Sequence, residues 1–388
     1  MLHQTMINKL VILIMIVTAV LFLASCGPKA RVAESQLDTP EHHMYTGLRL
    51  LNQEKYADAQ REFELAIQLK AKYSKAYTGI ALVNLGTGNF NAAWENLNLG
   101  LKYATADEEK VFVNVGKIRY YTQSKSEKKW LKLAKEQFDE AIALDPKSSA
   151  AYYFMGLAYK AGLEFNLAGQ MFTKVLELKT DYLSEADAQW NLMQKIQRAM
   201  PGTVTGKQIA ILDSITRADA AALFMEELKI DVLYKKRTPK TFDTSFRDPE
   251  KAKAKPQKLA AKDIADHPLR ADIEAILEIG VRGLENYPDG NFHPADIVTR
   301  AAYAMMLEDI LIKVSGDYAM STKFIGSTSP FPDLRSELPY FNAIMVVTSR
   351  GIMGAKDLTT GEFAPLNPVP GVDALLIIKK IKEELKFN

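Results

Sequence analysis

The stretch AQREFELA, residues 59–66, places alanine, phenylalanine and alanine at positions 59, 63 and 66. Steps of four and then three put these side chains on one face of a helix. The same spacing returns in AWENLNLG (93–100), AKEQFDEA (134–141) and AGQMFTKV (168–175). The leading alanines are separated by 34, 41 and 34 residues. Small residues at the ends of each trio let a neighbouring helix approach closely, and the large central residue fills the space between helices. A second small residue lies twelve positions upstream at Gly47, Ala81 and Gly156, which implies a preceding helix in each unit. A fixed period of this length is the signature of stacked repeats.

The pattern resembles the tetratricopeptide repeat, a pair of helices in 34 residues. It covers about residues 41–180, and a closing helix over 181–200 completes an array at 41–200. The 41-residue interval implies an insertion of about seven residues, expected in the polar segment Thr122–Lys129 between paired helices. The resemblance implies a curved array whose concave face holds a peptide or a protein surface. In the family register that face includes Met44, Leu48, Leu51, Leu82, Leu85, Tyr153 and Leu157. These are more apolar than a solvated groove needs. They either meet a protein partner or pack against the closing helix or another domain.

After Met200-Pro201-Gly202 the pattern changes. Ser214-Ile215-Thr216-Arg217-Ala218-Asp219 leads into a helical run, and Ile297-Val298-Thr299-Arg300-Ala301-Ala302 repeats the device. Ahead of the second copy lie Asp263, the run Ile273–Leu277, Gly280-Val281 and then Pro288-Asp289-Gly290 with Phe292 and Pro294. Gly280, Gly290, Phe292 and Pro294 each recur 71 positions later, at Gly351, Gly361, Phe363 and Pro365, following Phe331-Pro332-Asp333.

This second half resembles the S-layer homology module, which usually occurs as three copies in a compact three-sided arrangement. The copies fall at about 201–230, 260–312 and 329–386 of a domain at 201–388, with a basic linker at 231–259. The resemblance implies binding of cell-wall glycan in the grooves between copies. It points to Thr216, Arg217, Asp219, Asp263, Asp289, Gly290, Thr299, Arg300 and Asp333 as glycan-binding residues. A guanidinium pairs bidentately with an acidic group, and a helix N-terminus adds free N–H donors. Thr216 and Thr299 are expected to cap their helices, placing each arginine in the first turn, where a cation is disfavoured unless an anion accompanies it. That anion is either a ligand or a neighbouring Asp or Glu. Two departures limit the likeness. The third copy has Pro370-Gly371 in place of Thr-Arg, and the first lacks the Asp-Gly-x-Phe loop. The segment Lys235–Lys258 carries nine Lys/Arg against three Asp/Glu. It reads as a solvated loop or a contact for anionic glycan or lipid headgroups.

At the N-terminus Lys9 precedes the apolar run Leu10–Leu23, whose fourteen residues are too few to span a bilayer but suit a secretory signal. Leu23-Ala24-Ser25-Cys26 resembles the bacterial lipobox. This implies a signal peptide at 1–25, lipid attachment at Cys26 and a polar tether over 26–40. The other reading is an ordinary cleaved signal followed by an incidental cysteine. Cys26 is the one cysteine in the sequence, so no disulfide forms within the chain. Several acyl chains would make the anchoring effectively permanent. Gly27, rather than aspartate, follows the cysteine, which implies the periplasmic face of the outer membrane.

Composition adds exclusions. Hydrophobic residues at 47%, charged residues at 25% and a net charge of +2 describe an ordinary globular chain with no call for a nucleic-acid partner. Gly202–Gln208 is too short and lacks the Ser or Thr of a phosphate loop. His42 and His43 adjoin on a helix and point apart, so no metal site is expected. No nucleophile and base are spaced for catalysis, and no cofactor is implied. The expectation is a mainly all-α protein: a helical-hairpin solenoid, then a compact helical three-repeat domain with short loops. Its expected role is that of a lipid-anchored envelope scaffold binding a protein and cell-wall glycan. The alternative is an accessory lipoprotein of a secretion or polysaccharide-export assembly.

Overall fold

The computed structural model describes residues 35–36, 38–237 and 261–386. The expected signal at 1–25, Cys26, most of the tether, and residues 238–260 of the basic linker lie outside the described residues. The chain divides after Asp187 into two compact units, each described by itself below. Among the described residues the regular structure is helical, and β pairing is confined to two isolated bridges.

The first unit is built from α1 (Pro40–Asn52), α2 (Tyr56–Leu69), α3 (Ser74–Gly86), α4 (Phe90–Tyr103), α5 (Asp107–Ser124), α6 (Trp130–Leu144), α7 (Ser149–Ala161) and α8 (Phe165–Leu178). Consecutive pairs form antiparallel hairpins, and each hairpin packs on the next, as a tetratricopeptide-like solenoid does. The large residue of each trio lies in the resulting seam. Phe63 is fully buried, and a Cβ added at Gly47 of α1 or Gly79 of α3 would lie 2.5 or 2.6 Å from its ring. The ring therefore holds two successive hairpins at once. Phe172 takes the same place against Gly156, at 2.6 Å, and Leu97 against Gly116, at 2.7 Å. Truncating a buried phenylalanine of this kind costs about 3–5 kcal/mol.

The 41-residue interval has a different origin from the expected loop. α5 runs for 18 residues where α1, α3 and α7 have 13. Its connection to α6, residues 125–129, is two residues longer than those within the other hairpins. Most of the insertion is thus extra helix, and Thr122 to Ser124 are its last turn. Helical hydrogen bonds satisfy the added backbone groups there, which a loop would leave to solvent.

The division between units falls inside α9 (Leu183–Ala199). From Ala188 onward α9 belongs with the second unit. Met193 and Ile196 are buried, Lys195 pairs with Asp373 at 3.6 Å, and the Lys379 ammonium donates to the Arg198 carbonyl at 2.8 Å.

The second unit continues through α10 (Val204–Ala210) and α11 (Arg217–Ala222), which runs on as a π-helical segment, Leu223–Leu228. Then come α12 (Ile230–Arg237), α13 (Arg270–Ile279), α14 (Arg300–Ser315), a 3-10 turn (Tyr318–Thr322), α15 (Phe341–Ser349) and α16 (Gly371–Lys386). The expected linker at 231–259 therefore opens as helix, anchored by the fully buried Ile230.

Three helix-loop-helix copies, α10/α11, α13/α14 and α15/α16, meet at a ring of backbone hydrogen bonds. The Ile215 N–H donates to the Val369 carbonyl at 2.9 Å, Val298 to Ile215 at 3.0 Å, and Val369 to Val298 at 3.1 Å. All three residues are buried. The second helix of each copy then packs on the first helix of the next: α11 on α13, α14 on α15, and α16 back on α10. The 71-residue offset is visible in the backbone. Gly290 and Gly361 share positive φ (81° and 74°), as do the non-glycine pair His293 and Ala364 (54° and 56°).

A clasp closes the start of the first unit. The His43 ring bonds Glu62 Oε2 through Nδ1 at 2.6 Å and Asp38 Oδ1 through Nε2 at 2.8 Å. Two carboxylates facing both ring nitrogens require an imidazolium. Burial works against that charge, but the bonds to Glu62 and Asp38 and their charges outweigh it, and the pKa is raised above 6.5. A raised folded pKa contributes stability that is complete below the unfolded value and lost as pH rises through the folded one. The melting temperature of the first unit should therefore fall as pH is raised from below 6.5 through the folded value. His43→Gln should flatten that slope, and thermal melts across a pH series read both.

Candidate functional site

The residues expected to bind glycan gather at two junctions between copies, but several are engaged in holding the fold. Thr216 caps α11, accepting from the Asp219 N–H at 3.3 Å, while Asp219 Oδ2 accepts from the Thr216 N–H and hydroxyl, each at 2.8 Å. Thr299 caps α14 through the Ala302 N–H at 3.2 Å.

Arg217 is 7% exposed. Its Nε donates to the Phe292 carbonyl at 2.9 Å, and its two terminal nitrogens to the carbonyls of Gly283 and Glu285 at 2.5 and 2.8 Å. The guanidinium lies 4.7 Å from the ring centres of both Tyr287 and Phe292. Arg300, 5% exposed, repeats this one copy later. It bonds the carbonyls of Phe363 and Gly354 at 2.7 and 2.6 Å and lies 4.5 Å from the Phe363 ring. Burial lowers the pKa of both arginines. Carbonyl dipoles of the next copy's loop accept directly from each guanidinium, and the carboxylates that act on it, Asp296, Glu285 and Asp263 for Arg217 and Asp373 and Asp333 for Arg300, form no ion pair with it among the described residues.

The aspartates hold those loops from the other side. Asp263 accepts from the N–H groups of Phe292 and His293, each at 2.8 Å, and Asp333 accepts from Phe363 and Ala364 at 2.9 and 2.7 Å. Burial opposes the Asp263 charge, but the two N–H bonds prevail and its pKa is lowered. Asp289 is exposed at the loop tip, bonded to the Asn291 N–H at 2.9 Å and His293 Nε2 at 2.8 Å, and Gly290 completes that turn.

The arginine of one copy thus enters the loop of the next, which makes the two departures noted above a single fact. The first copy has no Asp-Gly-x-Phe loop, and the third copy has no arginine to enter one. At that third junction the Gly371 N–H bonds the Leu212 carbonyl at 2.9 Å. A Cβ at Gly371 would fall on the Ile209 carbonyl oxygen, so no side chain fits.

What remains open at the first junction is a cavity of about 530 Å³ lined by Arg217, Glu285, Asn286, Tyr287, Ile297 and Met305, among others. Tyr287 and Ile297 are 44% and 52% exposed, and Asn286 Oδ1 is buried with no hydrogen-bond partner. The second junction holds a cavity of about 240 Å³ whose polar lining includes Lys195, Lys356, Lys380 and Asp373. The 71-residue offset matches Glu285 to Lys356 and Tyr287 to Leu358, so equivalent grooves carry different chemistry. Sequence reasoning passed over Asn286 and Tyr287, although the offset that matched their loops could have marked them.

In the first unit, Met44, Leu51, Leu82 and Leu85 are buried in the core of the array, and Leu48 packs against it. These side chains join hairpin to hairpin and do not present a partner-binding face. Tyr153 stacks on Tyr182 at 4.8 Å, and Leu157 lines a small cavity beside Arg119. Among the described residues there is no group of three or more potential metal-ligating side chains, and no helix is long and apolar enough to cross a membrane.

Replacing Arg217 should therefore be a folding lesion first. Arg217→Ala leaves three carbonyls without their donor and should destabilise the second unit by roughly 3 kcal/mol or more. Asn286→Ala removes an oxygen that bonds nothing and should leave the unfolding free energy from urea melts within about 0.5 kcal/mol of wild type.

No family model matches the chain. Over 131 residues, 34% of its length, it is 33% identical to the human protein named Tetratricopeptide repeat protein 6. That match spans about a quarter (24%) of the relative, so the likeness is to helical repeats and not to the whole of that protein.

Proposed function

We propose that this protein is a non-enzymatic scaffold of the bacterial cell envelope. Acyl chains on Cys26 hold it to the periplasmic face of the outer membrane, the helical array takes a protein partner, and the second unit takes cell-wall glycan. The likeness to a tetratricopeptide repeat protein supports the partner. The resemblance of Leu23-Ala24-Ser25-Cys26 to a lipobox supports the anchor.

The observation that carries the glycan reading is the first groove. An exposed tyrosine lines it together with Asn286, whose enclosed Oδ1 bonds nothing, and with the acidic residues Glu285 and Asp296. An aromatic face with a few polar side chains around it suits a sugar ring, which offers C–H faces to the aromatic and hydroxyl groups to the polar lining. The resemblance of the three copies to S-layer homology modules supports the same ligand class. The lysine-lined second groove suits an acidic substituent on the polymer.

Sedimentation of the mature protein with purified peptidoglycan tests this reading. The wild type should co-sediment, and Asn286→Ala with Tyr287→Ala should weaken binding about tenfold while leaving the fold intact. Absence of the wild type from the pellet would sink the glycan reading. Mass spectrometry of the membrane-extracted protein should find an acylated amino-terminal Cys26, and an unmodified thiol would remove the anchor.

A further inference from the structure

Arg119 of α5 differs from the two arginines of the second unit. Arg217 and Arg300 direct their guanidinium donors at carbonyls. Arg119 is half-buried, its Nε is enclosed without a hydrogen-bond partner, and it forms no ion pair among the described residues. Its guanidinium lies 4.6 Å from the Phe154 ring centre. The groups that act on its charge are the phenols of Tyr182, Tyr153 and Tyr56, with no carboxylate among them. Burial pulls its pKa down, as expected of an enclosed cation without an anion. Lys117 on the same helix has Glu140 to offset its burial. A half-enclosed cation with no anion beside it keeps donors free for an external acceptor, and an anion placed there would offset the cost of its burial.

The space beside Arg119 has the right size and lining for such a group. A cavity of about 80 Å³ is walled by Arg119, Thr122, Gln123, Phe154 and Leu157. Thr122 and Gln123 lie on the extra turn of α5, so the inserted residues build one wall of it. The Thr122 hydroxyl donates its proton to the Ile118 carbonyl at 2.7 Å, which leaves the arginine and the Gln123 amide as the donors of the lining. The space is large enough for a carboxylate and the methylene that carries it. Phe154 and Leu157 fit the methylene, and the planar guanidinium fits the carboxylate.

We infer that Arg119 anchors an aspartate or glutamate side chain of the protein that occupies the helical array. This rests on the reading of that array as a protein-binding unit, and it specifies the chemistry of the partner's anchoring residue.

The mature protein labelled with ¹⁵N-arginine offers a direct test, because an enclosed Nε–H gives a resolvable signal. Titration with N-acetylglutamate methylamide should shift the Arg119 signal downfield and saturate at roughly millimolar concentration. N-acetylglutamine methylamide should not move it. Arg119→Lys, which keeps the charge and loses the planar fork, should weaken binding about tenfold. No shift with the glutamate derivative, or an equal shift with the glutamine one, overturns the assignment. A response to N-acetylglycine alone would also overturn it, by pointing to a chain terminus in place of a side chain. Recovery of crosslinked partners by wild type and Arg119→Gln separates this inference from its premise. Equal recovery refutes the role of Arg119 while the scaffold stands, and no recovery by either protein refutes the scaffold itself.

Discussion

Three backbone hydrogen bonds, among Ile215, Val298 and Val369, govern the second unit. In a closed ring each segment is donor and acceptor at once, so none can leave without breaking two bonds. Buried backbone groups must be paired, and here no sheet is available to pair them. The ring also sets register. Two residues further on, the N–H groups of Arg217, Arg300 and Gly371 reach carbonyls of the adjoining copy, at Asp296, Asn367 and Leu212. That spacing delivers each arginine to the mouth of the next copy's loop.

The first unit is ordered by a different constraint. Its hairpins are joined by contacts between neighbours, and a single ring such as Phe63 serves two hairpins because Gly47 and Gly79 leave room for it. Such an array tolerates extra helix at one position, since lengthening α5 does not disturb the seams elsewhere. The second unit has no such freedom. Its ring closes on itself, and a residue gained or lost between Thr216 and Thr299 or between Thr299 and Gly371 has to be absorbed in a loop.

The interlocking arginines shift the candidate site away from the residues that look most functional. Arg217 and Arg300 hold loops, Asp263 and Asp333 hold the same loops from beneath, and the open chemistry lies along the walls. There Tyr287, Glu285 and Asn286 face one cavity and Lys356 another. The two grooves differ in their exposed wall residues, while the buried arginine and aromatic recur in both.

Spacing alone determined the helical hairpins, the 34-residue period, the 71-residue repeat and the threonine caps, because each depends on residues close in the chain or at a fixed offset. The sequence also showed that the first copy lacked an Asp-Gly-x-Phe loop and the third lacked an arginine. Only the tertiary structure decided that these two absences meet at one junction. It also decided that Met44, Leu51, Leu82 and Leu85 lie in the core, that the inserted residues form helix, and that Arg119 is left without an anion. Each of those outcomes is a contact between distant segments. A residue type states what it can bond, and only the packed chain settles which partners come within reach.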